Sequence, residues 1–205
     1  MRNNLKPHMV RVKEGDDKDE FLIIRLDHVK PAINIVNVYG GQESRMDDQE
    51  VLENWGRIKV ELDKIKERNE SCVILGDFNR AIGCDKLGIP GNHPRVSFGG
   101  HLVRELLEDQ EYIMLNSSQK AEGGPWTWVS RADSKIKSCI DFVIVTADLF
   151  QYVTSMVVDT EKKFAPVRVR TKKGKMRLIP PDHNPIIIKF ENLPTSWIRR
   201  EQVSQ

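Results

Sequence analysis

Apolar positions along this chain recur with two periods, and the alternation between the periods predicts the fold class. Glu20 to Leu26 is apolar-rich and strand-like. Ala32 to Tyr39 alternates, with Ile33, Ile35, Asn37 and Tyr39 on one side and Asn34, Val36 and Val38 on the other, which predicts a strand with apolar contacts on both faces. Gly40-Gly41 ends it. The period then becomes helical: Val51, Trp55, Ile58, Leu62 and Ile65 form one stripe behind Asp47, whose spacing to Glu50 is that of a capping box, and Asn69 suits the helix end. Ser71 to Leu75 is a continuous apolar run of strand length. Residues 81–98 are broken by Gly83, Gly88, Pro90, Gly91 and Pro94 and predict a loop. His101 to Gln110 predicts a short helix burying Leu102, Leu106 and Val103. Tyr112 to Leu115, Trp126-Thr127-Trp128, Ile140 to Val145, Ser155 to Asp159 and Pro185 to Phe190 complete the strands. Strands dominate over two clear helices, so a layered α/β domain is expected.

Composition narrows the class. With 205 residues, the chain is long enough for one sizeable domain and too short for two comfortable ones, and 39% hydrophobic with 30% charged residues is a globular composition. No apolar run reaches membrane-span length, so no membrane partner is expected. Met1 to Pro7 lacks the apolar core of a signal peptide. Cys72, Cys84 and Cys139 are odd in number and share no CxxC spacing, which suits reduced thiols in an intracellular protein. The net charge of +2 selects no partner, but its distribution is uneven: Lys162, Lys163, Arg168, Arg170, Lys172, Lys173, Lys175 and Arg177 fall in one stretch with no acidic residue. That stretch fits either a phosphate-backbone contact or a solvated hairpin with a basic tip.

Three segments carry polar residues where a buried strand should carry none, or just beyond one: Gly76-Asp77-Phe78-Asn79, Asp141 between Ile140 and Phe142, and Asp182-His183 between prolines. A carboxylate at a strand's carboxyl end can hold a divalent cation or activate water, and an amide two residues on can donate to a phosphate oxygen. An ionised Asp141 inside a strand needs a partner. His183 is a natural one, because a carboxylate on one imidazole nitrogen fixes the tautomer and leaves the other free for phosphate or water. Each piece also has a plain structural reading. Asp77 could cap a turn, Asn79 could bond its own backbone, Asp141 could pair with Lys137, and His183 could be a satisfied loop histidine.

Taken in order, Gly76-Asp77-Phe78-Asn79, Ser138-Cys139-Ile140-Asp141-Phe142 and Asp182-His183-Asn184-Pro185-Ile186 resemble the successive motifs of the endonuclease/exonuclease/phosphatase superfamily. Asn37 to Gly41 resembles its strand ending in a tyrosine, and Trp126-Thr127-Trp128 its Thr-Trp segment. The likeness runs from about residue 20 to residue 190 and is nearest to apurinic endonuclease-like domains of non-LTR retrotransposons.

The resemblance implies a four-layer α/β sandwich, two packed β-sheets flanked by helices, filling residues 1–195 with a tail at 196–205. It implies hydrolysis of a phosphodiester or phosphomonoester with Mg2+ or Mn2+. His183, oriented by Asp141, would contact the scissile phosphate, and Asp77 would position the attacking water. Asn79 and Tyr39 would hold phosphate oxygens, and Asp182 would lie at the metal. Trp126, Arg170, Lys172 and Lys173 would meet the substrate, with DNA the expected partner and the nucleus the expected compartment.

Two family motifs, an asparagine and the glutamate that is the main metal ligand, belong upstream of the tyrosine strand. Only 38 residues precede Tyr39 and none reproduces them; Gln42-Glu43 and Gln49-Glu50 come too late, and Glu14 and Glu20 are poor substitutes. Gly41 stands where the family has proline and Pro181 where it has serine. The chain is therefore expected to correspond to the carboxyl-terminal two thirds of such a domain, with open strand edges and weak or no activity. The alternatives are a non-catalytic remnant that binds nucleic acid or a protein, and a phosphatase of the same superfamily.

Overall fold

In the computed structural model the described residues are 9–13, 21–27, 31–42, 45–84, 89–90, 92–161, 167–170, 174, 176–179 and 181–193. In order, the elements are β1 (Met9–Lys13), β2 (Phe21–Leu26), β3 (Ile33–Tyr39), α1 (Asp48–Glu67), β4 (Ser71–Asp77), α2 (Phe98–Glu108), β5 (Tyr112–Met114) and β6 (Ala121–Gly123). There follow β7 (Trp128–Val129), β8 (Lys137–Ser138), β9 (Asp141–Thr146), α3 (Ala147–Phe150), β10 (Val153–Val158), β11 (Val167–Arg170), β12 (Met176–Ile179) and β13 (Ile186–Phe190). Six strands form one mixed sheet in the order β1-β2-β3-β4-β9-β5, and three form a second in the order β13-β10-β6.

The two-residue period of the strands divides the core. Cys72 and Ile74 of β4 and Phe142 and Ile144 of β9 face α1 and α2, where they meet Ile58, Leu62, Ile65 and Val103. Val73 and Leu75 of β4 and Val143 and Val145 of β9 face the other way and pack on Met156, Val158, Ile186 and Ile188. Strands buried on both faces must be apolar at successive positions, which is why β4 and β9 read as continuous runs. The α/β sandwich is thus present. Among the described residues it has three layers (helices, large sheet, small sheet), with no helix on the outer face of the small sheet.

α1 starts as its sequence dictates. The Asp47 side chain accepts from the Glu50 N–H, and the Glu50 carboxylate accepts from the Asp47 N–H. Val51, Ile58, Leu62 and Ile65 are buried, and Trp55 packs beside them. Asn69 follows in the left-handed region at φ 51°. α2 differs from expectation. It begins at Phe98, three residues early, because Ser97 caps it by accepting from the Gly100 N–H. Its buried residues are Gly99, Gly100 and Val103, with the two glycines pressed against Arg80 and Ala81; Leu106 is only partly covered, and Leu102 is half-buried and lies outside the core. The strand expected at Trp126 begins at Trp128, since Trp126 and Thr127 use their carbonyls on Asn184 instead. β1, β6, β8 and α3 have no clear periodic signal. In the basic stretch, β11 and β12 pair antiparallel as a hairpin. Lys172 and Lys173 lie outside the described residues, as do residues 194–205, and Arg170 is placed by its backbone alone.

Cys72 and Cys139 are buried free thiols, pushed up to about 12 by burial, and Cys84 is exposed. No helix among the described residues is long and apolar enough to cross a membrane.

Candidate active site

The carboxyl end of β4 is shaped by its backbone before any chemistry is placed there. Gly76 has φ 137°, and a Cβ on it would sit 1.9 Å from the Val38 carbonyl oxygen, so only glycine fits beside β3. Phe78 turns into the core, 5.1 Å from the Phe142 ring, and its N–H donates to the Ile140 carbonyl. Asn79 sits at φ 49°, with its N–H on Asp77 Oδ1 at 3.1 Å and its Nδ2 on the Gly40 carbonyl at 2.8 Å. The buried Arg80 donates to the Gly41 carbonyl at 2.7 Å, fixing the Gly40-Gly41 loop to the same turn.

Register brings two acids together. β4 and β9 run antiparallel with Asp77 directly opposite Asp141. Like charges at such a pair repel. Burial, then the charge of Asp141, push the Asp77 carboxyl up to about 6. His183 answers the pair from a third segment. Its Nδ1 lies 3.0 Å from Asp141 Oδ2 and 3.1 Å from Asp141 Oδ1, and its Nε2 lies 3.8 Å from Asp77 Oδ2. The bond to Asp141 raises the His183 pKa above its ordinary value, against burial. Asp77, Asp141 and His183 each offer a ligand atom within 4.8 Å of one another.

Thr127, from the Thr-Trp segment, and Asn116 and Asn92, which no motif marks, hold these segments in place. Thr127 is fully buried, and its hydroxyl accepts from the N–H groups of Ile140 and Asp141, both at 3.0 Å. Its carbonyl accepts from the Asn184 N–H, and Val129 N–H donates to the Asp182 carbonyl, so one short segment holds both Asp141 and His183. Asn116 accepts from Val143 N–H and donates to the Asp141 carbonyl. Asn92 joins the 81–98 loop to the Cys139 carbonyl. A buried Thr or Asn beside an apolar run was the available signal, because such groups must find partners.

The remaining expected residues are placed less uniformly. Tyr39 is 60% exposed at the end of β3, in register with Asp77. Trp126 is half-buried, and its carbonyl accepts from Asn184 Nδ2. Asp182 Oδ1 is 2.9 Å from Arg131 Nη2, on the β7–β8 loop, and Asp182 is outside the three-residue cluster. Against burial, its own backbone and then Arg131 hold its carboxyl below the usual range.

The donor set suits a loosely held divalent cation. Two carboxylates face each other with an imidazole between them, and the 3.8 Å gap between His183 Nε2 and Asp77 Oδ2 is too long for a hydrogen bond but open to a bridging water or ion. A hard cation takes oxygen ligands and completes its shell with water, so one or two carboxylates suffice to hold it weakly.

Comparison with known proteins agrees with this geometry. The sequence pattern of the Endonuclease/Exonuclease/phosphatase family matches residues 6–163. No curated protein matches the sequence. Among solved structures, the fold is similar to a 3'-5' exonuclease, NExo, from Neisseria meningitidis, at 18% identity and TM-score 0.61, over 89% of this chain and 70% of that one. It is similar to an AP endonuclease from Archaeoglobus fulgidus, at 13% identity and TM-score 0.56, over 89% and 70%. It is also similar to the endonuclease domain of TRAS1, a telomere-specific non-LTR retrotransposon, at 16% identity and TM-score 0.55, over 89% and 66%. This chain therefore spans about two thirds of the solved chains it resembles.

Proposed function

The chain belongs to the endonuclease/exonuclease/phosphatase family, and from that premise we propose that it is a metal-dependent phosphoester hydrolase of the nuclease type, acting on DNA. The observation that carries this reading is the Asp141–His183–Asp77 arrangement. His183 Nδ1 is held by Asp141, which turns Nε2 towards Asp77 and favours a positively charged ring. A charged His183 would bind a phosphate oxygen. Asp77, ionised above about pH 6, would accept a hydrogen bond from the attacking water and orient it. Asn79 and the exposed Tyr39 would steady the phosphate from either side of Asp77. Bound Mg2+ or Mn2+ would add positive charge at the phosphate and lower the pKa of a coordinated water. Trp126 and, from the basic stretch of the sequence, Arg170, Lys172 and Lys173 would contact the nucleic acid. The neighbours named as endonucleases support a DNA substrate, as does the run of basic residues.

Activity of this chain by itself is expected to be slow. No glutamate joins the cluster among the described residues, and Asp182 is engaged by Arg131. Losing a principal metal ligand removes on the order of several kcal/mol of charge stabilisation, roughly three orders of magnitude in rate.

Nicking of supercoiled plasmid tests both parts. The expected result is slow nicking with Mg2+ or Mn2+, abolished by EDTA, and DNA binding that weakens steeply with salt. Absence of DNA binding at low salt would overturn the nuclease reading. Fast Mg2+-dependent nicking would overturn the slow-activity reading.

A further inference from the structure

A second cleft, of about 320 Å3, opens at the amino end of β4, the end away from Asp77. It lies between the last turn of α1, the start of β5 and the junction of β9 with α3. Ile65, Tyr112 and Ala147 give it apolar walls. The charges around it do not cancel. Lys66 is the one cation on its lining, and Glu111 engages it at 2.7 Å, with Asp109 at 3.7 Å. Glu70 is met by Arg25 and Arg68. Asp148 is left over. It accepts from the Ser71 hydroxyl, and no cation among the described residues pairs with it. The carboxyl end of α1 adds partial negative charge.

A second observation is independent of that charge. Tyr112 is 8% exposed and lines the cleft, yet its hydroxyl has no hydrogen-bond partner among the described residues. A buried tyrosine hydroxyl ordinarily finds one. Burial, then Cys72 and the carboxylates of Glu111, Asp63 and Asp109, raise its pKa, so the hydroxyl stays neutral in negative surroundings. A neutral phenol oxygen accepts as well as donates. The cleft therefore offers a carboxylate without a cation and a hydroxyl without a partner, beside an apolar wall.

We propose that this cleft binds an aliphatic amine cation of the diamine or polyamine class. One ammonium group donates to Asp148 and to the Tyr112 hydroxyl oxygen. The methylene chain lies on Ile65 and Ala147, and the second ammonium reaches Glu111 beside Lys66. Other ligand classes fit less well. An anion would meet the uncompensated Asp148, and a neutral ligand would leave that carboxylate unmet. A metal ion needs ligand atoms that converge. Among the described residues only Asp77, Asp141 and His183 bring three such atoms within 4.8 Å, so the acids of this cleft are too dispersed for one. A diamine carries separated charges joined by an apolar chain, which matches separated acids joined by an apolar wall. The inference does not depend on the chain hydrolysing any substrate.

The test is a titration of the 205-residue protein with cadaverine at low salt, followed residue by residue in amide NMR spectra. Saturable shifts are expected at Tyr112, Ala147 and Asp148. The diol of the same chain length, which lacks the charges, should give none. Asp148→Asn should weaken binding by about tenfold or more, through loss of a charged hydrogen bond, and Tyr112→Phe by about fivefold, through loss of a single one. Asp133→Asn removes an exposed acid on the β7–β8 loop and should change binding by less than about twofold. Because a variant could misfold, cadaverine against the diol on the unaltered protein is the deciding comparison. Equal shifts from the two compounds overturn the proposal, as does the absence of saturable shifts at the cleft with millimolar cadaverine. So do shifts confined to Asp77, Asp141 and His183, or equal weakening by Asp133→Asn and Asp148→Asn, since binding is then general attraction to acidic groups.

Discussion

The two ends of β4 are each marked by a half-buried acid, Glu70 just before the strand and Asp77 at its end, and they differ in how that acid is met. At the amino end, Glu70 accepts from Arg25 Nε and Nη2, from Asn34 Nδ2 and from Arg68 Nε, all within 3.0 Å. Burial alone would raise its pKa, yet those bonds hold it at about 2. At the carboxyl end, Asp77 faces another carboxylate and a histidine that is bonded elsewhere, and its pKa rises to about 6. One end is a closed ion-pair network. The other is an unbalanced cluster, open towards solvent, of the kind from which functional sites are drawn. Among the described residues, two arginines and an amide meet the acid at the amino end, whereas the acid at the carboxyl end is met by a second acid and a single histidine.

The comparison can be broken by substitution. The largest effect is expected from His183→Ala, which should lower any metal-dependent nicking by about 10²–10⁴-fold while low-salt DNA binding persists. Equal loss of both would mean that His183 serves the fold. Glu70→Ala should leave nicking intact but cost about 3 kcal/mol in urea unfolding, because it strands Arg25 in a partly buried site. A cost below about 0.5 kcal/mol would make the amino-end network a surface feature.

Asp77→Asn should do the reverse: activity is lost, and the metal-free protein gains on the order of 1 kcal/mol near neutral pH after allowance for solvent screening. The two ends should also answer pH oppositely. Glu70, with its lowered pKa, stabilises the fold above about 4.5 and loses that contribution as pH falls towards 2. Asp77 is held protonated more tightly when folded, so its ionisation destabilises the metal-free fold as pH rises from about 4 through 6. Unfolding free energies across pH 2–8 for the unaltered protein and Asp77→Asn would show the second limb disappear. Arg131→Ala should have the smallest effect, a few-fold tightening of Mn2+ binding seen by calorimetry, because it releases Asp182 from an exposed ion pair worth under about 1 kcal/mol.

Much of this was legible along the chain. β3, α1, β4, β9 and the Asp47–Glu50 cap announce themselves because a strand buried on both faces must be continuously apolar and a capped helix must be striped. The order of Asp77, Asp141 and His183 carried the family. What could not be read is what depends on chain brought from far away. The start of α2 was set by Ser97 and by two glycines pressed against other segments. Arg131 and Asn116 lie in no motif, and Thr127 was read only as part of a Thr-Trp segment, yet they determine where Asp182 and Asp141 stand.

The sequence by itself therefore determined the classes of element, the apolar faces and the identity of the acids and the histidine, since period and residue chemistry are local properties. Only the tertiary structure decided that Asp77 and Asp141 oppose each other across a ladder, that His183 bonds one and faces the other, and that Asp182 turns to Arg131. Register and hydrogen-bond partnership are relations between segments tens of residues apart, and chain closure and packing set them.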